Sequence, residues 1–527
     1  MRLAAGLLGL CIGLASARSE TAYLWPAETK ARWSAQDERG YEAFVGAIAA
    51  SDCTTVDACL RGPANPLRAG DPPDLAFGAD CADLVYMLRA YYAWKKGLPF
   101  GFVNALEARD PRGEGDLRFT MLGNRAVGRW DVTAHGARAD IRVVFHAIRD
   151  TVSTATFRID PRIERPVAQD FFSPAITREA LRPGSALYNG DGHVVIVSRI
   201  DEAGRIHFLD AHPDMSVTRG VFGGQFQRGD PAIGAGFHAW RPVALVDGRL
   251  VHAANDQIAG FSTEQYFGPL AAADWREADF SEGGRNLDYV EFARRRLADG
   301  PLAYDILDEA RLGFGGLCDD LRYRAQAVAE ADRLLIYRRS RPGRLEGVTA
   351  DEQALWFALS TPGRDRRLRN HAHRVAAGLR RLIGLYAAGD DGVRYSGKTL
   401  RRDLRRLFDA TARSCLVTYT NSDGDSVRLT FRVALARLPD LSFDPYHCPE
   451  RRWGAAGREL SRCDDDGVKA RWYDAQAPLR GLEAASGLPA NPTLEELGAA
   501  AGRTTAAPDF DAIIATAPDK PPGRRKP

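Results

Sequence analysis

The spacing of apolar residues divides the chain into a mixed first part and a mainly helical second part. Between about residues 18 and 250, helical segments are followed by short apolar runs that favour strands. These strands are predicted at 141–145, 185–188, 193–200 and 205–210. The turn at 201–204 joins the last two as a hairpin. Helices followed by antiparallel strands predict an α+β domain.

One helix of this first part is apolar on nearly every face. It begins at Cys81, carries large apolar residues through Trp94, and ends at Gly97-Leu-Pro99. A helix without a polar face is buried, and glycine followed by proline is a common end signal. The pattern therefore predicts a central helix with a cysteine in its first turn.

The second part changes to long amphipathic helices between about residues 287 and 413. A second hairpin is predicted from alternation at 415–420 and 427–435 around the turn 421–424. The domains expected from the sequence are a signal peptide (1–17), a catalytic domain (18–255), a mainly helical accessory domain with a hairpin and a disulfide loop (256–480), and a flexible tail (481–527).

The first residues have the pattern of a secretory signal peptide. Arg2 supplies a positive start, residues 3–14 form a short apolar core, and Ala15-Ser-Ala17 is a small-residue cleavage site. No other stretch approaches the roughly 18 apolar residues that span a bilayer. The sequence thus predicts an exported protein of the bacterial periplasm or exterior, without a membrane span.

Charge adds little to this picture. The formal net charge is +2, so the overall balance does not demand a nucleic-acid partner. Three arginine clusters on predicted helices, at 338–344, 364–369 and 401–406, could bind an anionic polymer. A solvated helix face with internal ion pairs is the more common role for such residues.

The cysteine count singles out Cys81. Of eight cysteines, Cys11 lies in the leader, so an odd number should remain after export. Proximity favours the pairs Cys53–Cys59, Cys448–Cys463 and Cys318–Cys415, although six cysteines allow many other connectivities. Cys81 then keeps its thiol, at a helix start where the macrodipole favours thiolate.

A thiol nucleophile needs an imidazole base and a group that orients it. His193 begins an apolar strand, and its hairpin partner ends at Asp210-Ala-His212. Strand ends of a hairpin lie side by side, so Asp210 or His212 should fall beside His193; a carboxylate is the better orienter. His238 is a second candidate base.

The residues around Cys81 set a condition on its reactivity. Asp80 and Asp83 would by themselves disfavour the thiolate, so a nearby imidazolium has to outweigh them. The backbone N–H of Cys81 at the helix start is a candidate oxyanion donor.

Three short motifs resemble papain-like cysteine hydrolases. Asp80-Cys-Ala-Asp-Leu-Val, Arg182-Pro-Gly-Ser-Ala-Leu-Tyr and Gly192-His-Val-Val-Ile-Val are similar to cell-wall endopeptidases of the NlpC type. Gly97-Leu-Pro99 and the ending Leu209-Asp210 are similar to transglutaminase-like cysteine hydrolases. The resemblance covers about residues 75–215 and implies a papain-like core, in which a cysteine-bearing helix packs on an antiparallel sheet.

Together these features predict an exported cysteine hydrolase with a Cys81, His193 and Asp210 triad. By resemblance the substrate is an amide of the peptidoglycan stem peptide. Amide exchange on protein and a catalytically silent binding or scaffold protein are the alternatives. No cofactor is expected, and no metal, because Cys448 and Cys463 should form a disulfide in an oxidising compartment.

Overall fold

In the computed structural model the chain forms two compact units, Met1–Leu302 and Ala303–Pro527. Both helices and antiparallel sheets are present, so the chain is α+β as predicted. The structure describes residues 20–110, 116–190, 192–223, 226, 229–284, 287–481, 488–489, 491–500 and 504–519. The predicted signal peptide and the basic end at 521–527 lie outside the described residues.

The first unit contains short helices around one main sheet. Its α-helices are α1 (Ala35–Ala50), α2 (Val56–Arg61), α3 (Cys81–Lys96), α4 (Ile141–Thr151), α5 (Thr154–Phe157), α6 (Glu264–Phe267) and α7 (Tyr289–Leu297). Its strands are β1 (Phe102–Ala108), β2 (Asn124–Trp130), β3 (Phe171–Phe172), β4 (Ala186–Asn189), β5 (His193–Ile200), β6 (Ile206–Ala211), β7 (Val217–Val221), β8 (Gly236–Trp240), β9 (Val243–Val246) and β10 (Arg249–His252).

Helix α3 is the predicted central helix, and its sequence fixes both ends. The Asp80 side chain accepts hydrogen bonds from the backbone N–H groups of Ala82 and Asp83, at 2.9 and 3.1 Å. Gly97 ends the helix with a positive φ of 60°, a conformation that costs glycine little. The side chains between them are almost all buried, so α3 is the centre of the first unit.

The main sheet has the strand order β3-β8-β4-β5-β6-β7 and is antiparallel throughout. The predicted hairpin forms its β5 and β6 strands, with Ile196 opposite Leu209. Alternation along β5 sends Val194 and Ile196 into the core that contains α3. Val195 and Val197 enter a second core on the other face. The sheet therefore carries a packed layer on both sides.

The strand predicted at 141–145 is wrong, because this segment is the start of helix α4. Asp140 caps the helix, accepting a hydrogen bond from the Arg142 backbone N–H at 2.8 Å. The buried residues Ile141, Val144, Phe145 and Ile148 follow helical spacing. A short apolar β-branched run does not by itself separate a strand from a buried helix.

The first unit also extends beyond the predicted boundary at residue 255. Phe280, Leu287 and Phe292 lie in the second core together with Val195 and Val197 of the main sheet. Residues 256–302 thus complete the first unit, and the accessory unit begins later than predicted.

The second unit contains the long helices that the amphipathic pattern predicts. Its α-helices are α8 (Ile306–Arg333), α9 (Ala350–Leu359), α10 (Pro362–Ala388), α11 (Leu400–Ser414), α12 (Phe431–Ala436), α13 (Pro449–Arg452), α14 (Gly457–Leu460), α15 (Gly467–Ala475), α16 (Leu494–Gly498) and α17 (Phe510–Ala515). Its strands are β11 (Tyr304–Asp305), β12 (Val393–Arg394), β13 (Leu416–Thr420) and β14 (Ser426–Thr430).

The second hairpin is shorter than predicted. Strand β14 ends at Thr430, whose hydroxyl accepts a hydrogen bond from the Val433 backbone N–H and caps helix α12. The alternation predicted through residue 435 therefore stops at Thr430. The hydroxyl of this N-cap residue binds a backbone N–H of the following helical turn, so the chain continues as a helix and not as a strand.

Part of the predicted flexible tail is folded. Phe510, Ile513 and Ile514 of α17 are buried, and the Phe510 ring packs against Phe314 and Phe408. Leu497 of α16 is buried as well. The burial of three apolar side chains at helical spacing stabilises this short helix, although the surrounding sequence is rich in Pro and Ala.

The three predicted disulfides are present: Cys53–Cys59, Cys318–Cys415 and Cys448–Cys463. The long-range bridge joins α8 to the residue that precedes β13. Among the described residues, no helix is both long enough and apolar enough to cross a bilayer.

Three arginines of the predicted clusters are buried or form ion pairs within the unit. Arg341 is buried and pairs with Asp444 at 2.8 Å. Arg369 is 2% exposed. Arg405 forms an ion pair with Asp511 of α17. Internal pairing thus accounts for part of the arginine excess of this unit.

Candidate active site

His193 and Asp210 lie side by side at the adjoining ends of β5 and β6. The Nε2 atom of His193 is 2.7 Å from Oδ2 of Asp210. Both side chains are largely buried, at 14% and 5% exposure. A carboxylate at this distance fixes the tautomer of the ring and stabilises its protonated form.

His212 extends this cluster. Its Nε2 atom is 2.9 Å from the Thr218 hydroxyl and 3.7 Å from Oδ2 of Asp210. Its ring is parallel to that of His193, within 2°, with the centroids 6.2 Å apart. Of the two orienters that the sequence left open, Asp210 lies within hydrogen-bonding distance of His193.

Cys81 occupies the first position of helix α3 and is half-buried. Of the cysteines in the described part of the chain, it is the one outside the three disulfides. The positive end of the helix macrodipole acts on this position and favours an anion at the sulfur, while the Ala82 and Asp83 backbone N–H groups are bound by the Asp80 side chain.

A one-turn 3-10 helix at Leu117–Phe119 lies near both Cys81 and the β5–β6 hairpin. The pKa of Arg118 is raised, chiefly by its hydrogen bond to Asp116 and further by the nearby Asp80 carboxylate and the thiolate form of Cys81. The next residue, Phe119, packs near the hairpin, since a Cβ at Gly192 would lie 3.5 Å from its Cε1 atom. The turn thus lies beside the start of α3 and beside the residue that precedes His193.

A second electrostatic link runs between the two carboxylates. Burial raises the pKa of Asp80, and the negative charge of Asp210 raises it further, while Arg118 opposes the shift. The start of α3 and the Asp210 end of the hairpin are therefore close enough to interact.

Asp83 contributes less negative charge than the sequence suggests. Burial and the neighbouring Asp80 raise its pKa to about 8, so the carboxyl holds a proton at neutral pH. Of the two carboxyl groups beside Cys81, only Asp80 therefore disfavours the thiolate by its negative charge.

His238, the second candidate base, lies in an aromatic core. Its ring packs edge-on against Phe157 and Phe171, and Nε2–H donates to the Gly234 carbonyl at 2.7 Å. Burial lowers its pKa to about 4. A neutral ring committed to a backbone carbonyl is poorly placed to exchange protons with a substrate.

Arg118 and Thr218 are the site residues that sequence reasoning missed. Neither belongs to a motif, and the stretch between α3 and β4 offered no local signal for Arg118. The β6–β7 pairing, which places Thr218 opposite Asp210, was not predicted.

One described cluster has the geometry of a metal site. It comprises Cys448, Glu450 and Cys463. Because the two cysteines form a disulfide, their sulfur atoms are not available as thiolate ligands.

The chain matches no family model, no curated protein and no solved structure. Function has to be inferred from the site itself.

Proposed function

We propose that this chain is a cysteine hydrolase with a papain-like core that cleaves an amide bond. Cys81 is the nucleophile, His193 the general base and Asp210 the residue that orients it. The proposal rests on the 2.7 Å His193–Asp210 pair, carried by a sheet that packs on the helix that Cys81 begins.

The chemistry follows from these three side chains. The Cys81 sulfur attacks the amide carbonyl carbon, and its proton passes to Nδ1 of His193, since Nε2 faces Asp210. The C–N bond breaks as the imidazolium gives that proton to the departing amine, which leaves a thioester. Water, deprotonated by His193, attacks the thioester, and a carboxylic acid and the thiol are released.

The oxyanion of each tetrahedral intermediate needs donors that are already in place. The backbone N–H of Cys81 at the helix start supplies one. Arg118, whose guanidinium is held by Asp116, adds positive charge near Cys81.

The sheet sets a geometric condition on this mechanism. Side chains two residues apart on a strand lie on the same face, so His193 shares a face with Val195. This is the face opposite the one that α3 covers. The thiol–imidazole contact therefore has to form around the end of the sheet at His193, where Phe119 of the 117–119 turn approaches Gly192.

The substrate class proposed is an amide of the peptidoglycan stem peptide, which rests on the motif resemblance. Amide exchange uses the same thioester, with an amine in place of water. The enzyme is incubated with purified peptidoglycan, and separately with a protein carrying glutamine side chains plus a labelled primary amine.

We expect the wild type to create new amino and carboxyl termini in peptidoglycan, and Cys81→Ala to create none. Incorporation of the labelled amine by the wild type alone would instead assign amide exchange. Equal products from the wild type and Cys81→Ala on both substrates would contradict a thiol enzyme and favour a binding protein.

A further inference from the structure

A small disulfide loop borders the last strand of the main sheet. The Cys53–Cys59 bridge closes a loop with a sequence separation of 6. Strand β7 is last in the strand order, so one of its edges faces away from the sheet. The loop reaches the start of that edge, where the Val217 backbone N–H donates to the Thr54 carbonyl at 2.8 Å. The bridge therefore encloses a segment that extends the sheet past β7.

The same loop holds the turn that joins β6 to β7. The Val56 backbone N–H donates to the Met215 carbonyl at 3.0 Å, and the Met215 N–H donates to the His212 carbonyl at 2.8 Å. Met215 has a positive φ of 63°, which is unfavourable for a residue with a side chain. Such a conformation persists where the surrounding contacts impose it. The hydrogen bond from Val56 is one of these contacts, and it depends on the position of the disulfide loop.

The turn carries the groups that lie behind the His193–Asp210 pair. Thr218 is opposite Asp210 in the β6–β7 pairing, and its hydroxyl is 2.9 Å from Nε2 of His212. The His212 backbone N–H donates to the Ser216 carbonyl at 3.0 Å, inside the same turn. A shift of this turn therefore moves the strand end that holds Asp210.

The turn also borders the segment that leads to Cys81. A Cβ at Gly78, three residues before the cysteine, would lie 3.3 Å from Sδ of Met215. Both partners of the proposed thiol–imidazole pair are thus connected to the turn that the disulfide loop holds.

Arg219 of β7 favours the reduced form of the bridge. Its guanidinium donates to the carbonyls of Ala49 and Cys53, at 2.7 and 2.9 Å, and Nη2 lies 3.2 Å from Sγ of Cys53. Positive charge at this sulfur stabilises the thiolate, which makes Cys53 a better leaving group in thiol–disulfide exchange. Cys53 is half-buried, so part of its surface is open to a reductant.

We propose that the Cys53–Cys59 bridge is a redox switch that positions Asp210. A dithiol reductant transfers two electrons and two protons to the bridge, which yields two cysteine thiols and the cyclic disulfide of the reductant. The Cys53 thiol then loses its proton to water and remains a thiolate beside Arg219.

Opening the bridge releases the loop from the turn. The hydrogen bonds that join Thr54 and Val56 to the turn are lost, and the Asp210 carboxylate no longer holds the His193 ring in one orientation. The oxidised protein is therefore the active form. This inference rests on the proposed hydrolysis, because it names the regulation of the same site.

The first measurement needs no substrate. Cys53→Ser/Cys59→Ser lacks the bridge, and Cys448→Ser/Cys463→Ser, which lacks a bridge of the second unit, is the matched control. We expect faster backbone hydrogen exchange at 206–221 and a higher Cys81 thiolate midpoint in the first variant alone. A wild-type value of either quantity in that variant overturns the proposal.

Reduction of the wild type guards against a variant that fails to fold. The protein is equilibrated with mixtures of reduced and oxidised dithiothreitol, and the open fraction of the Cys53–Cys59 bridge is read by alkylation and mass spectrometry. Exchange at 206–221 should rise with this fraction and return on reoxidation.

Arg219→Gln should need an about tenfold higher ratio of reduced to oxidised reagent for half-opening of the bridge. Arg39→Gln, at an exposed arginine of α1, is the control and should behave as the wild type. Exchange that does not follow the open fraction, or an unchanged ratio in Arg219→Gln, would overturn the switch.

Hydrolysis gives the functional result once the substrate is known. The kcat of Cys53→Ser/Cys59→Ser should fall about tenfold or more, with KM within about threefold of the wild type. A wild-type kcat refutes the switch and leaves the hydrolysis intact. If the wild type hydrolyses no amide, the proposed hydrolysis fails, whereas hydrogen exchange and the thiolate midpoint still decide whether the bridge controls the site.

Discussion

Cys81→Ala and His193→Ala are each expected to reduce amide hydrolysis to background, a loss of about ten-thousandfold or more. One removes the nucleophile and the other removes the group that ionises it, so the double variant should be no slower than either single one. Initial rates on the substrate identified with the wild type give the comparison, and thermal unfolding verifies that each variant folds.

Asp210→Asn should retain a measurable rate, about a hundredfold to ten-thousandfold below the wild type. The nucleophile remains, but the ring loses the carboxylate that fixes its tautomer at 2.7 Å. His146→Gln, an exposed histidine with a 75% accessible side chain, is the control and should keep full activity. Wild-type rates in either alanine variant would refute the site.

Removing the Cys318–Cys415 bridge is expected to have the largest effect on stability. The bridge closes a loop with a sequence separation of 97, and the chain-entropy relation gives it about 4–5 kcal/mol of unfolding free energy. The Cys448–Cys463 bridge, with a separation of 15, should contribute about 3 kcal/mol.

Double-alanine variants of each pair test this order. Both pairs lie in the second unit, which carries Trp356, Trp453 and Trp472, so the two variants are compared on the same urea transition, and the six tryptophans of the first unit contribute equally to both. A loss for Cys318→Ala/Cys415→Ala no greater than that for Cys448→Ala/Cys463→Ala would contradict the loop-length account.

The sequence predicts the hairpin that carries the site because its signals agree with one another. The apolar run of β5 and a four-residue turn determine where the strands lie, and Ile196 pairs with Leu209. His193 and Asp210 could be placed together for the same reason. In contrast, the choice between Asp210 and His212 needed the actual side-chain positions.

Other features depend on tertiary contacts that local patterns do not contain. The run at 141–145 has strand composition but is helical, because the buried positions continue to Ile148. The sequence assigns residues 256–302 to the accessory domain, whereas Phe292 packs in the second core of the first unit, under the sheet. The proton held by Asp83 and the position of Arg118 also follow from burial and packing, which a single sequence does not report.

The central claim is that Cys81 and His193 form one ionisable unit. The direct measurement is the ultraviolet absorbance of the thiolate as a function of pH, taken as the difference from Cys81→Ala, which cancels every other chromophore. We expect the wild type to carry thiolate well below the ordinary cysteine pKa of about 8.5, with a midpoint near or below about 7. His193→Ala should shift the midpoint back to about 8.5 or higher. Identical midpoints at or above about 8.5 in both proteins would contradict the account.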